Sequence, residues 1–401
     1  MKNKLTLLAT ALLSAAAALL IQRIIPVNKT QDSALIDQKV SVRPIAEFEP
    51  SFGLAVSEQI LFRTAGIDLV KEIIKGRGRV YLFTTQPLHD QVEDLLHEKK
   101  PFSPEELDQV TKIQLEHESF WVRDFFPLPI LKAYPTLPPT PSFVDFVYRD
   151  GNSFDDAAIH QFALAINSSV EHLPIVLDGG NFMTDGENCL LSEELAADPD
   201  APQLDASDAH LERHIAGILR DSMGCQRTII VSQIPHPHVD MWLKFVKKGT
   251  ILVNQITDRT LQTIGSLDRE EQERIQKIKV ALDQTATRLA KSFQVVRLPM
   301  PVPIHDIFFT YANSVIVNDT VIIPHYRNPD PSRGSYPDKQ LYAAYEEEVA
   351  KIYRAQGLRP VFLESDDLIK EGGSFHCVTF HLPDLDAIMN DQSHLASRAK
   401  K

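Results

Sequence analysis

The chain holds three cysteines in 401 residues, and one of them, Cys377, lies within a glycine-led run, GGSFHCVTFHLP (372–383). A cysteine becomes a strong nucleophile once it is ionised, which needs a base or a favourable local field. A histidine able to do acid–base work near neutral pH stands at His238, within PHPHVDMW (235–242). Carboxylates occupy comparable settings elsewhere. Asp124 follows a tryptophan in WVRDF (121–125), Asp178 precedes a glycine pair in LDGGNF (177–182), and Asp240 lies two residues after His238. An acid behind a histidine fixes its tautomer, as in catalytic triads. Asp124 and Asp240 then exceed what a triad requires. Two surplus carboxylates suit a planar cation, because carboxylate and guanidinium pair through two parallel hydrogen bonds. His236 and His238 have no companion cluster at metal-ligand spacing, so neither a metal site nor another cofactor is expected.

These residues must be carried to one place. Apolar residues recur at helical spacing over about 57–75, 88–98, 104–116, 153–166, 209–223, 268–291 and 339–356. Short β-branched and aromatic runs between them read as strands, at 79–85, 142–149, 173–177, 227–233, 293–299 and 359–363. Three segments, 179–192, 241–254 and 313–324, each show two apolar runs around Asp185-Gly186, Lys248-Gly249 or Asn318-Asp319. Such pairs are hairpin turns. The result is a repeating strand–hairpin–helix unit, five copies when the chain's ends are counted. That pattern predicts a cyclic, propeller-like α/β fold in a single domain. The chemically loaded residues lie at the mouths of these units, where a cyclic fold would bring them to one central pocket. Gly372 and Gly373 would let the backbone pass close to that pocket. A regular strand after them would present Cys377 inward and turn His376 to the opposite face, so His376 is given no catalytic role.

The remaining composition bounds the partners. The net charge is −13 and the pI about 5.5, which excludes a basic nucleic-acid footprint. Residues 1–26 begin with Lys2 and Lys4 and continue as an apolar, alanine-rich run. That is the pattern of a signal peptide, or of a membrane anchor if it is retained. An exported protein is therefore expected. Residues 27–48 read as a linker or arm, 49–390 as the catalytic domain, and 391–401 as a polar tail. Cys189 and Cys225 could form a bridge or be two small buried apolar residues.

The ordered motifs WVRD, DGGNFMTDG, HVD, YANSVIVNDTVIIP and GGSFHCVTFHLP resemble the agmatine deiminase and Porphyromonas-type peptidylarginine deiminase family. The resemblance runs from about residue 50 to about 385. It implies the pentein fold, a five-bladed α/β propeller. It implies Cys377 as nucleophile, His238 as general acid/base and Asp178 as its support. It further implies Asp124 and Asp240 as the guanidinium grip, with Asn313 and Trp121 in the pocket. Asp178 stands where many relatives have glutamate. Pro237 stands where agmatine deiminases usually carry glycine, and RDFFP (123–127) stands where many of them read Arg-Asp-x-Gly-Pro. Arg149 matches a region where peptidylarginine-directed relatives place an arginine for the substrate carboxylate. An arginine-containing peptide is thus the favoured substrate, with agmatine as the alternative.

Overall fold

The computed structural model describes residues 40–126, 128–134, 139–148, 153–166, 168–194, 209–304, 307–327 and 339–388. The leader, the tail 391–401 and Arg149 lie outside them.

Central strands of the sheets carry apolar runs, such as Leu54–Val56, Ile251–Val253 and Val321–Ile323, all fully buried. A strand covered on both faces needs that composition. Five sheets share one plan: an antiparallel hairpin, then a helix, then a strand parallel to the hairpin's second member. The chain's two ends build one of them. Phe380–Pro383 pairs antiparallel with Ser51–Ser57, helix α1 (Gly66–Lys75) follows, and Arg79–Thr84 lies parallel beside the latter. In the next, Leu128–Ala133 and Thr140–Val147 are followed by α2 (Ser153–Ile166) and Val170–Val176. Phe182–Thr184 and Asn188–Ser192 lead to α3 (Ala209–Met223) and Arg227–Val231. Leu243–Lys247 and Thr250–Gln255 lead to α4 (Arg269–Leu289) and Gln294–Pro299. Val315–Val317 and Thr320–His325 lead to α5 (Lys339–Ala355) and Arg359–Glu364.

The helices seat themselves by simple rules. The Asp268 side chain accepts from the Glu271 amide at 2.9 Å and caps α4. Ile275, Ile278, Leu282 and Leu289 then fall on one buried stripe, while Gln276 and Lys277 face solvent. Each such buried aliphatic contributes about 1.5–3 kcal/mol before entropy is counted.

Three expectations need correction. Residues 104–116 are not one helix. Ser103 and Glu106 form a capping box on the single turn Pro104–Leu107, and Val110–Gln114 becomes a strand beside Arg79–Thr84. Val110, Thr111 and Ile113 are β-branched and fit a sheet edge better than a helix. Residues 41–48 are not an arm. Ser41–Pro44 pairs with Leu128–Ala133, and Ile45 and Ala46 are buried. The folded part therefore begins inside the segment read as a linker. Finally, Gly372–Thr379 is a series of turns, and the strand begins only at Phe380.

Of the two readings of Cys189 and Cys225, the bridge is the one found, with Cα atoms 5.7 Å apart. It ties the strand Asn188–Ser192 to the chain just after α3. Among the described residues no helix is long and apolar enough to cross a membrane.

Candidate active site

Asn313 organises the loop that carries the thiol. It is fully buried at the mouth of the Val315–Val317 hairpin. Its Oδ1 accepts from the Ser374 amide at 2.9 Å, and its Nδ2 donates to Cys377 Sγ at 3.1 Å. The loop closes on itself as the Val378 amide donates to the Ser374 carbonyl at 3.3 Å. A carboxamide that satisfies both backbone and thiol holds these residues in turns, where an extended strand would leave the amides unpaired. A Cβ on Gly373 would stand 2.9 Å from Cys377 Sγ and 2.7 Å from Trp121, so glycine is the residue this packing admits. Trp121 is half-buried, its ring packed on Phe120 at 4.3 Å.

The carboxylates and the histidine come from two other mouths and from the short helix Val122–Phe125. His238 Nε2 lies 3.1 Å from Asp178 Oδ2, and its Nδ1 lies 3.6 Å from Asp124 Oδ1. The shorter aspartate thus reaches the histidine that many relatives meet with a glutamate. Asp240 Oδ2 lies 3.6 Å from Cys377 Sγ. Gly180 marks the point where these groups converge. A Cβ there would be 2.6 Å from Asp124 Oδ1, 2.8 Å from His238 Nδ1 and 3.3 Å from Asp240 Oδ1. A side chain there would overlap these groups, so their close approach to the backbone requires glycine at this position.

Proximity sets the charges. Burial pushes the Asp124 carboxyl up to about 7, helped by Asp240 and Asp178 and opposed by His238. Burial would lower His238, but Asp124, the bond to Asp178 and Asp240 outweigh it and hold it at about 10. The Cys377 thiol is pushed well above its ordinary value by burial and by the anions of Asp240 and Asp124. Without an added cation, the site therefore favours a neutral thiol beside a charged imidazole.

Cys377, His238, Asp178, Asp124, Asp240 and Asn313 are gathered within hydrogen-bond or near-contact range, with Trp121 against the thiol loop. His376 is not the outward strand residue expected. Its Nδ1 lies 2.6 Å from Asp240 Oδ2 and its Nε2 lies 2.9 Å from Glu47 Oε2. Glu47 also pairs with the buried Lys244 at 2.6 Å and accepts from the Ile316 amide at 2.9 Å. Neither Glu47 nor Lys244 was singled out from the sequence. The only signal at Glu47 is one acid among the apolar residues Ile45, Ala46 and Phe48.

One departure from agmatine deiminases proves to be a packing matter. Phe126 stacks on Phe83 at 4.6 Å and meets Phe162 at 5.3 Å in a buried aromatic cluster. The Pro237 carbonyl accepts from Ser192 Oγ at 2.6 Å. The second phenylalanine thus fills core, whereas the bond at Pro237 is to its backbone carbonyl and does not depend on the residue type.

Comparison with known proteins fits this arrangement. The Porphyromonas-type peptidyl-arginine deiminase family matches residues 61–383. A Marinomonas sp. protein, assigned by name only as an agmatine deiminase, is 21% identical over 259 residues, 57% of this chain and 63% of its own length. The Pseudomonas fluorescens agmatine deiminase is 21% identical over 236 residues, 52% of this chain and 57% of its own. The chain thus spans less than two thirds of the curated relatives it matches. The structure of C. jejuni agmatine deiminase superposes with a TM-score of 0.62 at 20% identity, over 87% of this chain and 98% of that one. That likeness gives the fold, which is α/β of the pentein type. With four fifths of its length matched, the chain belongs to the Porphyromonas-type peptidyl-arginine deiminase family.

Proposed function

We propose that this protein is a hydrolase that deiminates a guanidinium compound to its ureido product and ammonia, and that the compound is a small cation of the agmatine type. The observation that supports the reaction class is the convergence of Asp124, His238 and Asp240 on Gly180, with Cys377 Sγ 3.6 Å from Asp240 Oδ2. A guanidinium placed there would pair with both carboxylates. Its positive charge would offset the anions that keep the thiol neutral, so the nucleophile ionises when substrate is bound.

Thiolate Sγ then attacks the central guanidinium carbon. His238 gives a proton to one nitrogen, which leaves as ammonia, and a thiouronium joins Cys377 to the substrate. Water, losing its proton to His238, attacks the same carbon. The C–S bond breaks, releasing the ureido product and the thiolate.

The substrate assignment reverses the expectation drawn from the sequence. Agmatine is favoured because both curated relatives and the solved neighbour carry that activity in their names. Of the features that spoke against it, Phe126 serves packing instead, and the bond at Pro237 does not depend on the residue type. Arg149, the residue expected to meet a peptide carboxylate, lies outside the described residues. A peptidylarginine substrate remains the second reading, favoured by the family's description and by the leader. We place the protein in an exported compartment. The basic and apolar leader supports this, as does the Cys189–Cys225 bridge, which forms and persists under oxidising conditions.

Purified residues 27–401, with Cys377→Ala as control, would be assayed for ureido product from agmatine, free arginine and a peptide ending in arginine. Turnover of agmatine that is lost in the variant supports the proposal. Turnover of the peptide alone would replace agmatine with peptidylarginine. No product from any of the three, with folded protein, would sink the deiminase reading.

A further inference from the structure

Asp240 is fully buried, and its two oxygens are in different situations. Oδ2 is held by His376 at 2.6 Å, whereas Oδ1 has no hydrogen-bond partner among the described residues. Oδ1 is also the oxygen that a Cβ on Gly180 would meet at 3.3 Å, on the side where Asp124 and His238 converge. A buried carboxylate oxygen without a partner is costly, and a guanidinium donor would satisfy it.

The group that fixes Oδ2 is itself fixed from behind. His376 is 3% exposed and is held between Asp240 and Glu47. Glu47 cannot swing away, because Lys244 Nζ reaches both its oxygens at 2.6 Å and the Ile316 amide holds Oε1 at 2.9 Å. Lys244 is anchored in turn on the Ser314 carbonyl at 2.6 Å, one residue after Asn313. A small cavity opens behind this chain. Its walls include Glu47, Arg123, His376 and His381 but neither Asp240 nor Cys377. His376 is the side chain that holds Asp240 Oδ2 at hydrogen-bond distance, with Cys377 Sγ farther off at 3.6 Å.

We propose that His376 and Glu47 are positioning residues for the reaction: they hold Asp240 so that Oδ1 faces the guanidinium. This rests on the deiminase reading above. The segment that enters before the first sheet is thereby part of the active-site machinery, although Glu47 never meets substrate. Asp124 alone could still attract a cation, but it would not orient one against Cys377 Sγ. Small displacements of a positioning group cost about tenfold to a hundredfold.

The test uses two probes of one shape. 2-Chloroacetamidine is a planar cation and 2-chloroacetamide its neutral counterpart. With either, Cys377 Sγ bonds to the methylene carbon and chloride leaves. The ratio of their alkylation rates reports the carboxylate grip and does not depend on the natural substrate. The wild type should favour the cation by about tenfold or more. His376→Leu, which removes the donor to Asp240 at similar size, should lower that ratio about tenfold. His376→Asn, which can still donate from the Nδ1 position, should keep it within about threefold. Glu47→Gln should lower it by about threefold or more and carries the comparison if His376→Leu does not fold. A purely structural role would shift the melting temperature and leave the ratio alone. Wild-type preference retained in both His376→Leu and Glu47→Gln overturns the proposal while sparing the deiminase reading. A wild type with no preference for the cation overturns both.

Discussion

At the scale of single residues, the site depends on a missing side chain and on charges set by crowding. Asp124, His238 and Asp240 converge on Gly180, where a side chain would overlap them. Gly180→Ala would place a methyl 2.6 Å from Asp124 Oδ1 and 2.8 Å from His238 Nδ1. We expect kcat/KM for the guanidinium substrate to fall about 100-fold or more, with the melting temperature shifted by only a few degrees. An active Gly180→Ala enzyme would mean the cation sits elsewhere. The crowding also has a pH signature. Asp124 is held at about 7, so it becomes protonated as pH falls through that value and loses its attraction for a cation. The profile of kcat/KM should therefore drop on the acid side of about pH 7, with a slope of about one decade per unit. A rate that stays level from pH 8 down to pH 5 would contradict this assignment.

At the scale of elements, the strand Ser41–Pro44 and the residues after it matter more than their composition suggests. They deliver Glu47 to Lys244 and His376. A chain starting at residue 40 should match the longer protein in urea midpoint. A chain starting at residue 50 would leave Lys244, 1% exposed at its side chain, without its carboxylate. Removing one partner of a buried ion pair costs about 3–5 kcal/mol, so that chain should unfold at much lower urea or fail to accumulate. Equal midpoints for the two truncations would show that the pair contributes little. The turn Gly372–Thr379 illustrates the same level. Its sequence favours a strand, yet the Asn313 side chain supplies bonds that a strand would need from a neighbour.

At the scale of the whole molecule, five sheets of one topology carry the site on short connections between strands, and the chain's end closes the sheet begun near its start. The Cys189–Cys225 bridge spans 36 residues of this framework and lies away from the thiol site. A loop of that length gives about 3–4 kcal/mol in the chain-entropy account. Replacing both cysteines with alanine should lower unfolding stability by about that amount while leaving kcat at 25 °C unchanged. Under denaturing, non-reducing conditions a thiol reagent should label the wild type once, at Cys377. Labelling at three positions would show that the bridge does not form.

The sequence by itself determined most of the elements and pointed to the residues that the fold gathers into the candidate site. Helical periodicity located α2, α3, α4 and α5 nearly to the residue, and paired apolar runs around polar turns located three hairpins. Those signals are local, set by burial of one face and by turn chemistry. Cys377, His238, Asp124, Asp178, Asp240 and Asn313 were legible because each stands in a distinctive run at the mouth of a unit. Only the tertiary structure decided what lies behind them. Glu47 and Lys244 are 197 residues apart, and Glu47 and His376 are 329 apart. No period or spacing connects such residues. Their partnership exists because the fold buries one cation and three carboxylate-bonded groups together, and burial leaves each charge no partner but the others.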